Sequence, residues 1–221
     1  AAATGDMMAL FRTGTADEAS NAVVELLGRG VAPQSLWDAI LCGAGELLMR
    51  QPGIVALHAV TTSNALHYAY ATSGDDRTRQ LLLLQNAAFL TLFREAMRGR
   101  GAVGDQRLDQ LAPESAGQDA EETIDDIFAE ISRNRRTAAS KTLGYLQQGA
   151  AEPLIDEARR LVFLKGTDSH DYKFSSAVLE DYYHLSRAWR DKYLAAAVFH
   201  LRGSGSADNG LVARARAALA K

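Results

Sequence analysis

Residues 54–71 read Ile-Val-Ala-Leu-His-Ala-Val-Thr-Thr-Ser-Asn-Ala-Leu-His-Tyr-Ala-Tyr-Ala, the most apolar run in the chain. His58, Thr61, Thr62, Ser63, Asn64 and His67 interrupt it. So many polar groups would be costly inside a bilayer, so the run reads as a buried core helix and not as a membrane span. Pro52-Gly53 breaks the chain before it, and Ser73-Gly74-Asp75-Asp76 breaks it after.

The same punctuation recurs on both sides. Thr15-Ala-Asp-Glu18 is a capping box, and Gly28 or Gly30 can close the helix that follows in a left-handed conformation. Pro33 suits a first helical turn, and Leu36, Trp37, Ile40, Leu41, Ala44, Leu47 and Leu48 recur at helical spacing. Downstream, Arg77–Arg98 carries Leu81, Leu84, Ala88, Leu92 and Ala96 as its expected buried stripe. Further helices are expected around 119–134, 137–148, 153–165, 168–185, 187–202 and 208–220, with Ser186 and Asp208 as cap-like residues. No sustained period-two alternation and no internal repeat is present. The fold class is therefore all-α, an orthogonal or bundle-like array of about nine to ten helices.

Residues 99–117 hold four glycines, a proline and scattered charge, which reads as a flexible connection. That divides the chain into an N-terminal helical subdomain, 1–98, and a C-terminal one, 118–221, within one compact domain or a fragment of a longer chain. The length of 221 residues supports a sizeable core. A hydrophobic content of 47% with 23% charged residues argues against a disordered or fibrous chain. Against 27 acidic side chains stand 24 basic ones, a net charge of −3, which disfavours a general nucleic-acid binder. Cys42 is the single cysteine, so neither an internal disulfide nor a multi-thiolate zinc site can form. The chain begins Ala-Ala-Ala-Thr without a Met, which reads as a processed or excised segment, and the location is cytoplasmic by default.

Chemistry is concentrated in two polar islands. In the first, Thr61 and Thr62 follow His58 by one turn, so a hydroxyl could fix the imidazole tautomer. His67 lies nine residues on, close to the opposite face, and the two histidines cannot share a metal from one straight helix. Each has an ordinary alternative as a core histidine bonded to a backbone carbonyl. The second island is Thr167-Asp168-Ser169-His170-Asp171-Tyr172-Lys173, where Asp168 or Ser169 can cap the helix. His170, Lys173, Ala177, Asp181 and His184 fall on one stripe, which must face water or line a cavity. About 21 Å of helical rise separates His170 from His184, so one site cannot hold both. Asp181 and His184 form a possible ligand pair or a surface contact.

Other features are plainer. Glu46 and Arg50 are spaced for a surface ion pair, and Arg133, Arg135 and Arg136 for a solvated basic face. Tyr68, Tyr70, Tyr182 and Tyr183 could stack on an aromatic substrate or pack in the core. There is no dinucleotide fingerprint, no nucleophile elbow and no phosphate loop.

The two islands resemble the questin oxidase-like family. Leu57-His58-Ala-Val60-Thr61, followed by Ala65-Leu66, is similar to that family's Leu-His-x-Val-Thr motif, and Asp168-Ser-His170-Asp-Tyr-Lys173 to its Asp-x-His-x-x-Lys. Tyr193-Leu-Ala-Ala-Ala197 is similar to the small-residue helix that follows, and the whole resemblance covers some 50 residues. It implies a helical oxidoreductase that inserts oxygen beside a carbonyl of a small aromatic or ketone substrate, with NADPH as reductant. The family carries a histidine-bearing N-terminal region that nothing before Glu46 supplies, which implies a missing N-terminal half or a partner subunit. Asp171 also departs from the small or apolar residue expected there.

Such chemistry needs a group that moves a proton near neutral pH and one that stabilises negative charge. The expected catalytic set is His58 and His170 facing one cavity, Asp168 orienting His170, and Lys173 at the developing oxyanion. Thr61, His67 and Tyr172 are the substrate-facing candidates. Alternatively, His58 and His170 with Asp168, or Asp181 with His184, could hold a non-haem iron. Two rivals remain. His170-Asp171 is also the signature dipeptide of HD-type metal-dependent phosphohydrolases, with His58 or His67 and Asp181 or Asp191 as further ligands. The other is a non-catalytic helical interaction module or a subunit of a larger assembly.

Overall fold

In the computed structural model, residues 2–115, 117 and 119–220 are described, and among them there is no strand. The eleven helices are α1 (Ala2–Thr13), α2 (Ala16–Gly28), α3 (Pro33–Arg50), α4 (Ile54–Thr72), α5 (Asp76–Arg98), α6 (Ala120–Ile131), α7 (Arg135–Leu146), α8 (Ala151–Lys165), α9 (Ser169–His184), α10 (Arg190–Ala197) and α11 (Gly210–Leu219). The class is as expected from sequence. The helix beyond the expected ten is α1, whose Met7, Met8 and Phe11 are buried. No helix is long and apolar enough to cross a membrane among the described residues.

The core is built around α3. Its residues Leu36–Met49 are all buried, as befits a helix that is apolar on every side and enclosed by others. It packs on α1, α4, α5 and α10, and α10 packs in turn on α7 and α9. Each fully buried Leu or Ile along it contributes about 1.5–3 kcal/mol by leaving water. Cys42 lies inside this core and is a free thiol.

Local signals act where the sequence placed them. Thr15 accepts a hydrogen bond from the Glu18 amide while the Glu18 carboxylate accepts from the Thr15 amide, closing the capping box. Gly30 takes a φ of 79°, a left-handed turn beyond the end of α2. Replacing Thr15 by Ala is expected to cost about 1 kcal/mol, read as a lower urea midpoint. An unchanged midpoint would mean that packing alone holds α2.

Three expectations are corrected. The buried stripe of α5 is Leu83, Asn86, Ala87, Leu90, Thr91, Arg94 and Met97, whereas Leu81 and Leu92 are more than half exposed. The run Leu81–Leu84 permits two stripes. The one chosen buries Arg94, whose guanidinium donates to the Phe11 and Gly14 carbonyls at 2.7 Å each and so ties α1 to α5. Next, Glu46 and Arg50 do not pair. Glu46 is buried and accepts from Arg12 at 2.7 and 2.8 Å, while Arg50 donates to the Gly104 carbonyl.

Residues 99–115, within the expected connection, run as a strap across the neighbouring helices. The Leu108 amide donates to Glu46, Asp109 meets Arg12 at 2.6 Å, and the Glu114 amide donates to the Ser140 carbonyl. Gly144 makes this last approach possible, because any Cβ there would overlap the Glu114 carbonyl oxygen. Residues 116 and 118, inside or beside the expected connection, lie outside the described residues, as do 1 and 221. Last, Ser186 and Asp208 are not caps. Ser186 donates to Asp38, and Asp208 pairs with Lys165 one residue before the true cap of α11, Asn209.

Candidate functional site

The site residues come from α4 and α9. Asp168 caps α9, its carboxylate accepting the His170 amide at 2.7 Å, and so places His170 in the first turn. His58 sits in the second turn of α4. The pairs His58–His170, Asn64–Asp181 and His67–His184 advance together along both helices, so α4 and α9 run parallel with three polar contacts on one seam.

The first contact brings together the two histidines expected to meet. Their ring centroids are 5.8 Å apart at a tilt of 56°. The Asp168 carboxylate lies 3.4 Å from Nδ1 of His170, within reach to hold that ring's orientation. Lys173, one turn along α9, is exposed. The pair does not line an enclosed cavity as expected: His58 is exposed and the His170 side chain is 44% exposed. Two open clefts of about 670 Å³ each lie nearby, and neither is lined by His58 or His170. Thr61 does not touch the imidazole either. Its hydroxyl donates back to the Leu57 carbonyl, as threonine often does within a helix.

In the middle of the seam Asp181 is fully buried. It accepts from the Asn64 carboxamide at 2.9 Å and from the Tyr193 hydroxyl at 2.8 Å. Burial outweighs both donors and pushes its pKa up to about 7. The same burial and the Asp181 charge hold the Tyr193 phenol far above its ordinary value. Sequence reading gave Asp181 as a possible metal ligand or a surface contact, and gave Asn64 no role beyond interrupting the apolar run. The available signal was that Asn64 stands one turn before His67 on the same apolar helix.

The third contact is a core cluster. His67 is buried, its ring centroid 4.7 Å from that of His184 and 4.9 Å from that of Trp37, the last pair meeting edge to face. Burial first, then the neighbouring His184, lowers its pKa to about 4, so it is a neutral packing residue here. It faces Trp37 and Tyr70 and not the His58 side of the helix. Tyr172 lines one of the two clefts and not the space between His58 and His170. Its ring lies beside Phe163 and its hydroxyl reaches the Gly166 carbonyl.

The metal-ligand sets do not assemble. Among the described residues no three His, Cys, Asp or Glu side chains gather into a group that could hold an ion. Asp181 is already held by Asn64 and Tyr193, and His184 turns towards His67 and, at 3.8 Å, Glu180. Asp171, the acid of the HD dipeptide, is buried and accepts both Arg202 Nε and Nη2 at 2.9 and 2.6 Å together with the Thr167 amide. That bidentate pair occupies the carboxylate an ion would need.

No protein-family model matches the chain, and comparison with curated proteins and with solved structures found no match.

Proposed function

We propose that this chain is a helical oxidoreductase of the questin oxidase-like kind, acting on a carbonyl-bearing small molecule at the surface end of the α4–α9 seam. The observation that supports this reading is the meeting of His58 and His170, 112 positions apart in sequence, with Asp168 against the second ring. Core histidines would be expected to turn to backbone carbonyls; these face each other in reach of solvent. In the proposed roles one imidazole takes a proton from the reacting molecule while the other, oriented by Asp168, returns one. Lys173 supplies positive charge near a developing oxyanion.

The iron version of this chemistry does not fit. Among the described residues no three ligand side chains gather there into a group that could hold an ion, and Oδ1 of Asp168 already faces the amide and Nδ1 of His170. A reduced nicotinamide, implied by the resemblance, would supply hydride. Lys173 is the only cation among the four proposed catalytic residues, too little to hold a dinucleotide's phosphates, so the residues' roles are derived without it. The reading places the chain where reduced nicotinamide is available, as in a cytoplasm.

The test is oxygen uptake by the purified chain with NADPH and a panel of cyclic and aryl ketones. Wild-type turnover should fall about 10²–10⁴-fold in His58→Ala and His170→Ala, the range for loss of a general acid or base. Asp168→Asn should fall less and shift the pH profile. Turnover unchanged in His170→Ala would end the proposal. The interaction-module reading is favoured by Phe163 and Tyr183, which stand 67% and 53% exposed along one cleft. Stable wild-type protein with no turnover on any ketone would favour it.

A further inference from the structure

From the end of α6 into the first turn of α7 the chain runs Ser132-Arg133-Asn134-Arg135-Arg136. Sequence alone makes this a solvated face. The fold adds Arg202, from the loop after α10, and all four arginines line one open cleft of about 670 Å³. No Asp or Glu lines it. In a chain with 27 acidic side chains and 24 basic ones, that separation of charge is a marked local departure.

Of the four guanidinium groups, Arg202 alone has an acidic partner among the described residues. Arg202 has Asp171 as its partner at 2.6 Å. Arg135, by contrast, is exposed but crowded by neighbouring atoms, and that partial loss of water and the like charge of Arg202 both work against its protonated form. An anion between them would relieve that repulsion. The hydroxyl-bearing residues Ser132 and Ser206 also line the cleft. Asn134 already caps the α7 amides of Arg136 and Thr137, so the available donors are side chains and not the helix terminus.

The cleft also has a meaningful position. Pro52, on its rim, precedes α4, and Arg202 grips Asp171 in the first turn of α9. It therefore opens at the same end of the α4–α9 seam as the His58–His170 pair.

We propose that this cleft binds the phosphate groups of a small phosphorylated ligand, with Arg133, Arg135 and Arg136 as its donors and Arg202, held in place by Asp171, as a fourth lining cation. Planar guanidinium groups meet phosphate oxygens in parallel two-bond contacts, and several arginines around one pocket suit a pyrophosphate or a multiply charged monoester. The assignment stands on charge and geometry and does not depend on the redox reading.

The experiment is isothermal titration of the full chain at low salt with inorganic pyrophosphate, NADPH, NADH and phenyl phosphate. Saturable single-site binding of pyrophosphate is expected, weakening steeply as salt is raised. The double variant Arg135→Ala/Arg136→Ala should weaken it at least tenfold. Both side chains are exposed, so the fold should survive, which a thermal melt verifies. The control Arg77→Ala/Arg187→Ala removes two exposed arginines outside the cleft and should leave binding unchanged. Tighter binding of NADPH than of phenyl phosphate would assign the cleft to a nucleotide; the reverse would assign it to a phosphorylated substrate. No saturable binding of any probe, binding unaltered by the cleft variant, or equal weakening in the control would overturn the proposal.

Discussion

Replacing Glu46 by Ala is expected to destabilise the protein by about 3–5 kcal/mol, the usual cost of removing one partner from a buried ion pair. Glu46 is 4% exposed and holds three donors: Arg12 Nε, Arg12 Nη2 and the Leu108 amide. Its loss leaves the Arg12 guanidinium, itself mostly buried, with Asp109 alone. It also strands an amide under the strap, so α1, α3 and residues 99–115 loosen together. Urea unfolding followed by far-UV circular dichroism measures this directly. The double variant Arg12→Met/Glu46→Met should cost less than the two single changes added, because no unpaired charge then remains inside. A cost below about 1 kcal/mol for Glu46→Ala would mean that water reaches the carboxylate and that the strap is not anchored there.

The same carboxylate shows why the sequence was readable for elements and not for their anchoring. Capping residues and breakers act within a turn or two, so Thr15, Pro33, Pro52 and Asp168 could each be assigned from local spacing. Glu46 has an equally local partner in Arg50, but its real partners lie 34 and 62 positions away. No local rule selects them. The strap 99–115 is a similar case: its glycines advertise freedom, and the groups it bonds to belong to α1, α3, α7 and α10, far off in sequence. In α5 both candidate stripes were apolar enough, and the deciding residue was Arg94, which seeks two backbone carbonyls near the end of α1.

The candidate site divides along the same line. His58, His170 and Asp168 were legible because each stands out against an apolar or capping context, and the fold does bring them together. What could not be read was their depth. Helical phase gives direction around an axis, but exposure depends on what packs over it, and nothing closes over His58. The arginine cleft was hidden for the complementary reason: Arg202 is 66 positions from Arg136 and is an unremarkable loop residue until the chain folds.

Stability should also depend on pH through Asp181, with a sign opposite to that of most carboxylates. Its folded pKa of about 7 lies above its ordinary value of 3.8, so the folded state holds a proton that the unfolded chain has released. The native state is then fully favoured below about pH 4 and loses stability as pH rises through 7. With one pKa unit worth about 1.4 kcal/mol, the loss amounts to a few kcal/mol. His67 runs the other way. Its folded pKa of about 4 lies below 6.5, so its contribution is present above pH 6.5 and lost on acidification towards 4. His200, also lowered by burial, acts in the same direction as His67. Between pH 4 and 6.5 the carboxyl and the imidazoles therefore oppose each other in the wild type. Asp181→Asn keeps an acceptor for Asn64 and removes the ionisation. The variant should gain stability as pH rises from 4 to 6.5, and the wild type should lose a few kcal/mol relative to it by pH 8. Urea midpoints at half-unit pH steps give both curves, and parallel curves would show that Asp181 keeps an ordinary pKa and that water reaches the middle of the seam.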